Sequence, residues 1–123
     1  MAKYAILIYE DPAFYANMSP EAWGAVTDAH NAFSKQIVEL GGSIAAGAAL
    51  APTTTATTIK GAGAKGAGTV TDGPFVETKG AFGGFYVVEA RDLDHAVEIA
   101  KLCPAPFGGV EVRPVVDPTT NPF

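Results

Sequence analysis

The chain has one cysteine, Cys103, among 123 residues, which excludes an intrachain disulfide. It is also poor in positive charge, with eight Lys and Arg against thirteen Asp and Glu and a net charge of −5. Phosphate backbones are held by clustered basic side chains, so nucleic acid is not an expected partner, and an acidic surface equally disfavours anionic membranes. No apolar run is long enough to cross a bilayer. The first apolar run, residues 4–9, ends at once in Glu10-Asp11-Pro12 with no small-residue cleavage site, so it reads as a strand and a cytoplasmic location is expected. Only two histidines and one tryptophan are present, and no H-x-x-x-H pair, cysteine pair or G-x-S-x-G string occurs. No metal and no cofactor is therefore expected.

What is present is apolar and loop-rich: 48% hydrophobic residues, fourteen glycines and nine prolines, enough for one core and a single domain spanning residues 1–123. Residues 4–9 are apolar on both parities, the pattern of a strand covered on both faces. Ser19-Pro20-Glu21 opens a helix, with serine as cap, proline at the first helical position and an acid complementing the dipole. That helix runs to Leu40 and stops at Gly41-Gly42. Its apolar stripe is Trp23, Val26, Phe33, Ile37 and Leu40, and His30 completes the spacing within it.

Residues 44–50 and 56–59 read as weak strands, residues 60–68 as a flexible hairpin tip, and residues 69–71 as a short extended segment. The G-x-G-x-x-G string at 61–66 precedes extended chain, not a helix, so it is no dinucleotide site. Residues 84–89 form a second strongly apolar strand. Asp92 caps a second helix with Leu93, Ala96, Val97, Ala100 and Cys103 facing inward and His95 on a solvated first turn. Pro104 ends it, and Val110-Glu111-Val112-Arg113 alternates as a strand with one wet face. Residues 117–123 form a C-terminal arm.

The order β-α-β-β-α-β predicts an α+β chain with a ferredoxin-like split βαβ arrangement. Two helices cover one face of such a sheet, yet its central strands look dry on both. A second copy of the chain would cover the other, giving a dimeric α+β barrel.

Chemistry concentrates in two places. A histidine in an apolar stripe must find a hydrogen-bond partner, and a nearby carboxylate would make it a general acid/base. A backbone carbonyl would make it structural. Asp72, in the Asp72-Gly73-Pro74 turn, is either His30's carboxylate or a local cap for its own turn. Glu77 and Lys79 follow, either as solvated charges or as anchors at a pocket mouth. Phe75, Tyr86, Trp23 and Tyr9 are candidate pocket walls for a compact polar or aromatic molecule.

Thr71-Asp72-Gly73-Pro74-Phe75-Val76-Glu77-Thr78-Lys79, then Gly83-Gly84-Phe85-Tyr86 and Val110-Glu111-Val112-Arg113-Pro114, resembles the YCII-related proteins, in particular the group defined by its Asp-Gly-Pro-Phe (DGPF) motif. Lys3-Tyr4 and Ala29-His30-Asn31-Ala32-Phe33 are similar too. The resemblance implies a homodimeric α+β barrel and a His–Asp acid/base pair, for which His30 and Asp72 are the matching positions. It also implies association with sigma-factor genes, and hence a regulatory binding module as the alternative to a lyase or isomerase. Gly80 departs from the pattern, where relatives carry an acid.

Overall fold

The structure, a computed structural model, describes residues 1–63 and 68–119. Six strands and two helices follow one another: β1 (Ala2–Glu10), α1 (Pro20–Glu39), β2 (Ser43–Ala49), β3 (Thr57–Lys60), β4 (Thr69–Asp72), β5 (Ala81–Ala90), α2 (Leu93–Ala100) and β6 (Gly108–Pro114). Short 3-10 turns at Pro12–Tyr15 and Thr53–Thr55 punctuate the loops. The main sheet is antiparallel, in the order β2-β5-β1-β6, while β3 and β4 form a separate two-stranded sheet. This α+β arrangement is compatible with a ferredoxin-like split βαβ fold carrying an inserted hairpin. Residues 64–67, in the expected hairpin tip, and 120–123, in the expected arm, lie outside the described residues.

The helix boundaries follow from local chemistry. The Ser19 hydroxyl accepts from the Ala22 N–H at 3.1 Å, Pro20 opens α1, and the chain leaves the helix through Gly41 at φ +86°. Asp92 caps α2 by accepting from the His95 N–H at 2.8 Å.

Register assigns the two faces of the sheet. Ile6 lies opposite both Tyr86 and Val112, and Tyr4 opposite Val88, so these residues share the side that the helices cover. There they pack with Phe33 and Ile37 of α1 and with Ala96, Ile99 and Ala100 of α2. The opposite parity, Ala5 and Leu7 of β1 with Val87 and Phe85 of β5 and Ala46 and Ala48 of β2, forms the face no helix covers. Leu7, Phe85 and Val87 remain half-buried there. Exposed Glu111 and Arg113 on β6 border this face, while Val110 and Val112 turn to the core, so the alternation in β6 is as expected.

In α2 the inward face differs from the sequence expectation. Leu93 and Val97 are exposed, and His95, expected on a solvated turn, is 2% exposed. The buried set is His95, Ala96, Ile99 and Ala100. The physical reason is a pair of backbone partners. His95 Nδ1 accepts from the Arg91 N–H at 3.0 Å, and its Nε2–H donates to the Leu40 carbonyl at 2.7 Å. The ring thus ties the start of α2 to the end of α1, with both nitrogens satisfied.

Candidate functional site

His30 stands on the sheet-facing stripe of α1, one turn before buried Phe33. Its Nδ1 lies 2.7 Å from the Tyr86 hydroxyl on β5, with the two rings nearly parallel at 6.0 Å between centroids. Tyr86 meets Phe33 edge-on at 5.1 Å, so the phenol is itself wedged by the core. Ser34 donates its hydroxyl proton to the His30 carbonyl at 3.1 Å, which leaves the serine oxygen as an acceptor beside the phenol.

Every buried side-chain nitrogen or oxygen among the described residues has a partner. His30 Nε2 has none among the described residues and is not among the buried atoms, so this nitrogen is open to solvent. Burial pushes the imidazole below its ordinary value, and the Glu10 carboxylate works in the opposite sense. Burial likewise raises the Tyr86 phenol, with Cys103 acting in the same direction and the Ser34 hydrogen bond against it. Cys103 is half-buried and its thiol is pushed up to about 12 by burial and then by Glu10, which suits packing against the core, not nucleophilic attack.

Glu10 shares its parity with Ile6 and Ile8, so it faces the helices at the end of β1. It accepts from the Tyr15 hydroxyl at 2.7 Å and from the Phe107 N–H at 3.0 Å, tying together the loops that follow β1 and precede β6. Above it the aromatic rings form a layer. Tyr15 stacks on Trp23 at 5.5 Å and meets Phe107 edge-on at 5.2 Å, and Phe107 stacks on Phe14 at 4.7 Å. Burial first, then Glu10, raises the Tyr15 phenol.

The remaining sequence candidates lie elsewhere. Tyr9 has the opposite parity to Ile6 and packs its ring on Phe82 at 5.6 Å, on the uncovered side of the sheet. Asp72 ends β4 opposite Thr57, and among the described residues no hydrogen bond or ion pair joins it to His30. Nor does its carboxylate cap the turn that follows. The Gly73 N–H donates to Ala56 at 2.8 Å, the Thr58 hydroxyl donates to the Gly73 carbonyl at 2.7 Å, and Gly73 supplies φ +100°. Phe75 is 71% exposed under the Lys60 ammonium, which sits 5.8 Å from its ring centre. Glu77 joins Thr53, Thr54, Gly73, Pro74 and Thr78 around a groove of about 290 Å³ that does not include His30, and Lys79 is exposed.

The structure therefore brings His30 and Tyr86 together, with Trp23 on the same helix. Glu10, Tyr15, Ser34 and Phe107 were not singled out in the sequence. One signal for Glu10 was available: an acid on the helix-facing parity of an otherwise apolar strand.

An antiparallel sheet under two helices, with a half-buried histidine and tyrosine paired between helix and sheet, defines a small α+β protein. The YCII-related domain model matches residues 2–119, and the chain belongs to that family. It is 36% identical over 115 residues to an uncharacterised protein of Rhizobium meliloti (strain 1021), a match covering 91% of this chain and 90% of the other. No helix among the described residues is long and apolar enough to cross a membrane.

Proposed function

We propose that this protein is a cofactor-independent acid–base enzyme, a lyase or isomerase, in which His30 moves the proton. The supporting observation is the His30–Tyr86 pair, with one ring nitrogen fixed at 2.7 Å and the other open. A neutral imidazole whose Nδ1–H donates to the Tyr86 oxygen presents a lone pair at Nε2, the requirement for a general base. When Nε2 takes the substrate proton, the imidazolium keeps its hydrogen bond to Tyr86, and the Glu10 charge offsets part of the cost of burying it. Returning that proton to a neighbouring substrate atom completes an isomerisation, and giving it to a leaving group completes an elimination. Trp23 and Tyr86 are the walls of the substrate site. In this reading Glu10 is the carboxylate that balances charge, the role the resemblance assigned to Asp72, while Asp72, Glu77 and Lys79 serve the separate lobe.

We further infer a cytoplasmic homodimer of the DGPF group, supported by the apolar uncovered face around Leu7, Phe85 and Val87 and by the string at residues 71–79. Leu7→Lys should shift sedimentation from dimer to monomer, and an unchanged sedimentation coefficient that corresponds to a monomer in both proteins rejects the pairing. For the chemistry, exchange of carbon-bound protons of candidate metabolites into deuterated water is followed by NMR. Exchange that His30→Asn abolishes and Asp72→Asn leaves intact supports His30 as the base. Saturable ligand binding with no exchange in wild type would favour a regulatory binding module instead.

A further inference from the structure

The ligand class can be narrowed from the charge around His30, an inference that rests on the acid–base reading of that site. Glu10 is half-buried, and both donors that meet it, the Tyr15 hydroxyl and the Phe107 N–H, are neutral. Among the described residues no lysine or arginine forms an ion pair with it. Its negative charge acts on His30, Tyr15 and Cys103. Each carboxylate oxygen has room for a further hydrogen bond beyond the one it accepts.

The layer of rings beside Glu10 points the same way. Tyr15 covers one side of the Trp23 indole and bonds to Glu10 through its hydroxyl, yet Trp23 is still 47% exposed, so indole surface remains open one ring away from the carboxylate. The face of an aromatic ring carries negative potential and attracts cations, tryptophan most strongly. A half-buried carboxylate without a counter-ion, one ring away from an open indole, attracts a positive group and repels a negative one. We propose that the helix-facing end of β1 beside α1 takes the ammonium end of a small organic amine, with Glu10 as counter-charge, Trp23 as the ring it rests on, and His30 Nε2 as the group that handles its proton chemistry.

Trp23 is the chain's only tryptophan, so its emission reports on this site directly. Three probes of one shape and different charge test the proposal in the full chain: benzylammonium, benzyl alcohol and benzoate, each titrated by fluorescence and by calorimetry. Benzylammonium should bind saturably, at least about tenfold more tightly than benzyl alcohol, and benzoate more weakly than either. Raising salt from about 50 to about 500 mM should weaken benzylammonium several-fold and leave benzyl alcohol unchanged. Glu10→Gln should reduce the benzylammonium preference to that of the alcohol. Because this variant also alters the loop tie to Phe107, the charge series and salt dependence of the wild type stand as independent tests. Equal binding of alcohol and ammonium, tighter binding of benzoate, or no saturable benzylammonium response at millimolar concentration overturns the amine assignment. His30→Asn separates the two readings: it should retain benzylammonium binding while losing proton exchange. His30-dependent exchange on an anionic molecule would overturn the amine and leave the acid–base reading standing.

Discussion

The chain's two histidines present one side chain in two environments. His95 is 2% exposed and uses both ring nitrogens on backbone partners, Arg91 and Leu40. His30 is half-buried and uses one, on the Tyr86 hydroxyl, leaving Nε2 open. A saturated ring inside a core can only hold elements together. A ring fixed at one nitrogen and free at the other has its orientation set and its chemistry available. What separates a structural histidine from a reactive one is thus the number of nitrogens the fold consumes, not burial alone.

The sharpest way to break this comparison is to remove each ring in turn. His95→Leu removes the hydrogen bonds to the Arg91 N–H and the Leu40 carbonyl, each worth about 1 kcal/mol, so a loss of roughly 2 kcal/mol is expected in denaturant unfolding. His30→Leu should cost no more than about 1 kcal/mol, because Tyr86 alone loses a partner. Equal losses would erase the distinction. Next in size is Tyr86→Phe, expected to lower stability by about 1 kcal/mol. More tellingly, it should release the His30 tautomer, seen as averaged ring nitrogen shifts by NMR, while His95 stays in one tautomer.

A pH effect follows from His30. Its folded value is depressed below the ordinary 6.5, so the unfolded chain takes up this proton first as pH falls. Stability should therefore decline as pH drops from about 6.5 toward the folded value and level off below it, since both states are then protonated. The difference between wild type and His30→Asn in unfolding free energy across pH 8 to 5 isolates this contribution. The smallest expected change sharpens the choice of carboxylate: Glu10→Gln should move the His30 titration further down, because the opposing charge is gone. Asp72→Asn should leave it in place. A shift with Asp72→Asn and none with Glu10→Gln would restore the aspartate as His30's partner.

Much of the fold was legible because its signals are local. Ser19 with Pro20, Gly41 and Asp92 each set a helix boundary through one or two hydrogen bonds or one dihedral, and all three act as the residues implied. Strand β5 begins at Ala81, three residues earlier than its apolar run, because pairing with β1 continues past a register shift near Tyr9. The inward face of α2 escaped the sequence reading because His95's partners lie on other elements, and Leu40 is 55 positions away. Periodicity placed Leu93 and Val97 inside on hydrophobicity alone, and a satisfied imidazole displaced them. In the site, His30 was legible from its place in an apolar stripe, and Tyr86 as a wall. Glu10 was hidden because it reads as the acid that ends a strand, and its role depends on strand parity and on Phe107 near the other end of the chain.

That last contact has a consequence for how the protein comes into being. Glu10 and Phe107 are 97 positions apart, and their bond holds Phe107 against Tyr15 in the aromatic layer. That bond cannot form until the segment before β6, close to the end of the described chain, has been synthesised. The aromatic layer beside Glu10 is thus completed only when the final strand is laid beside the first.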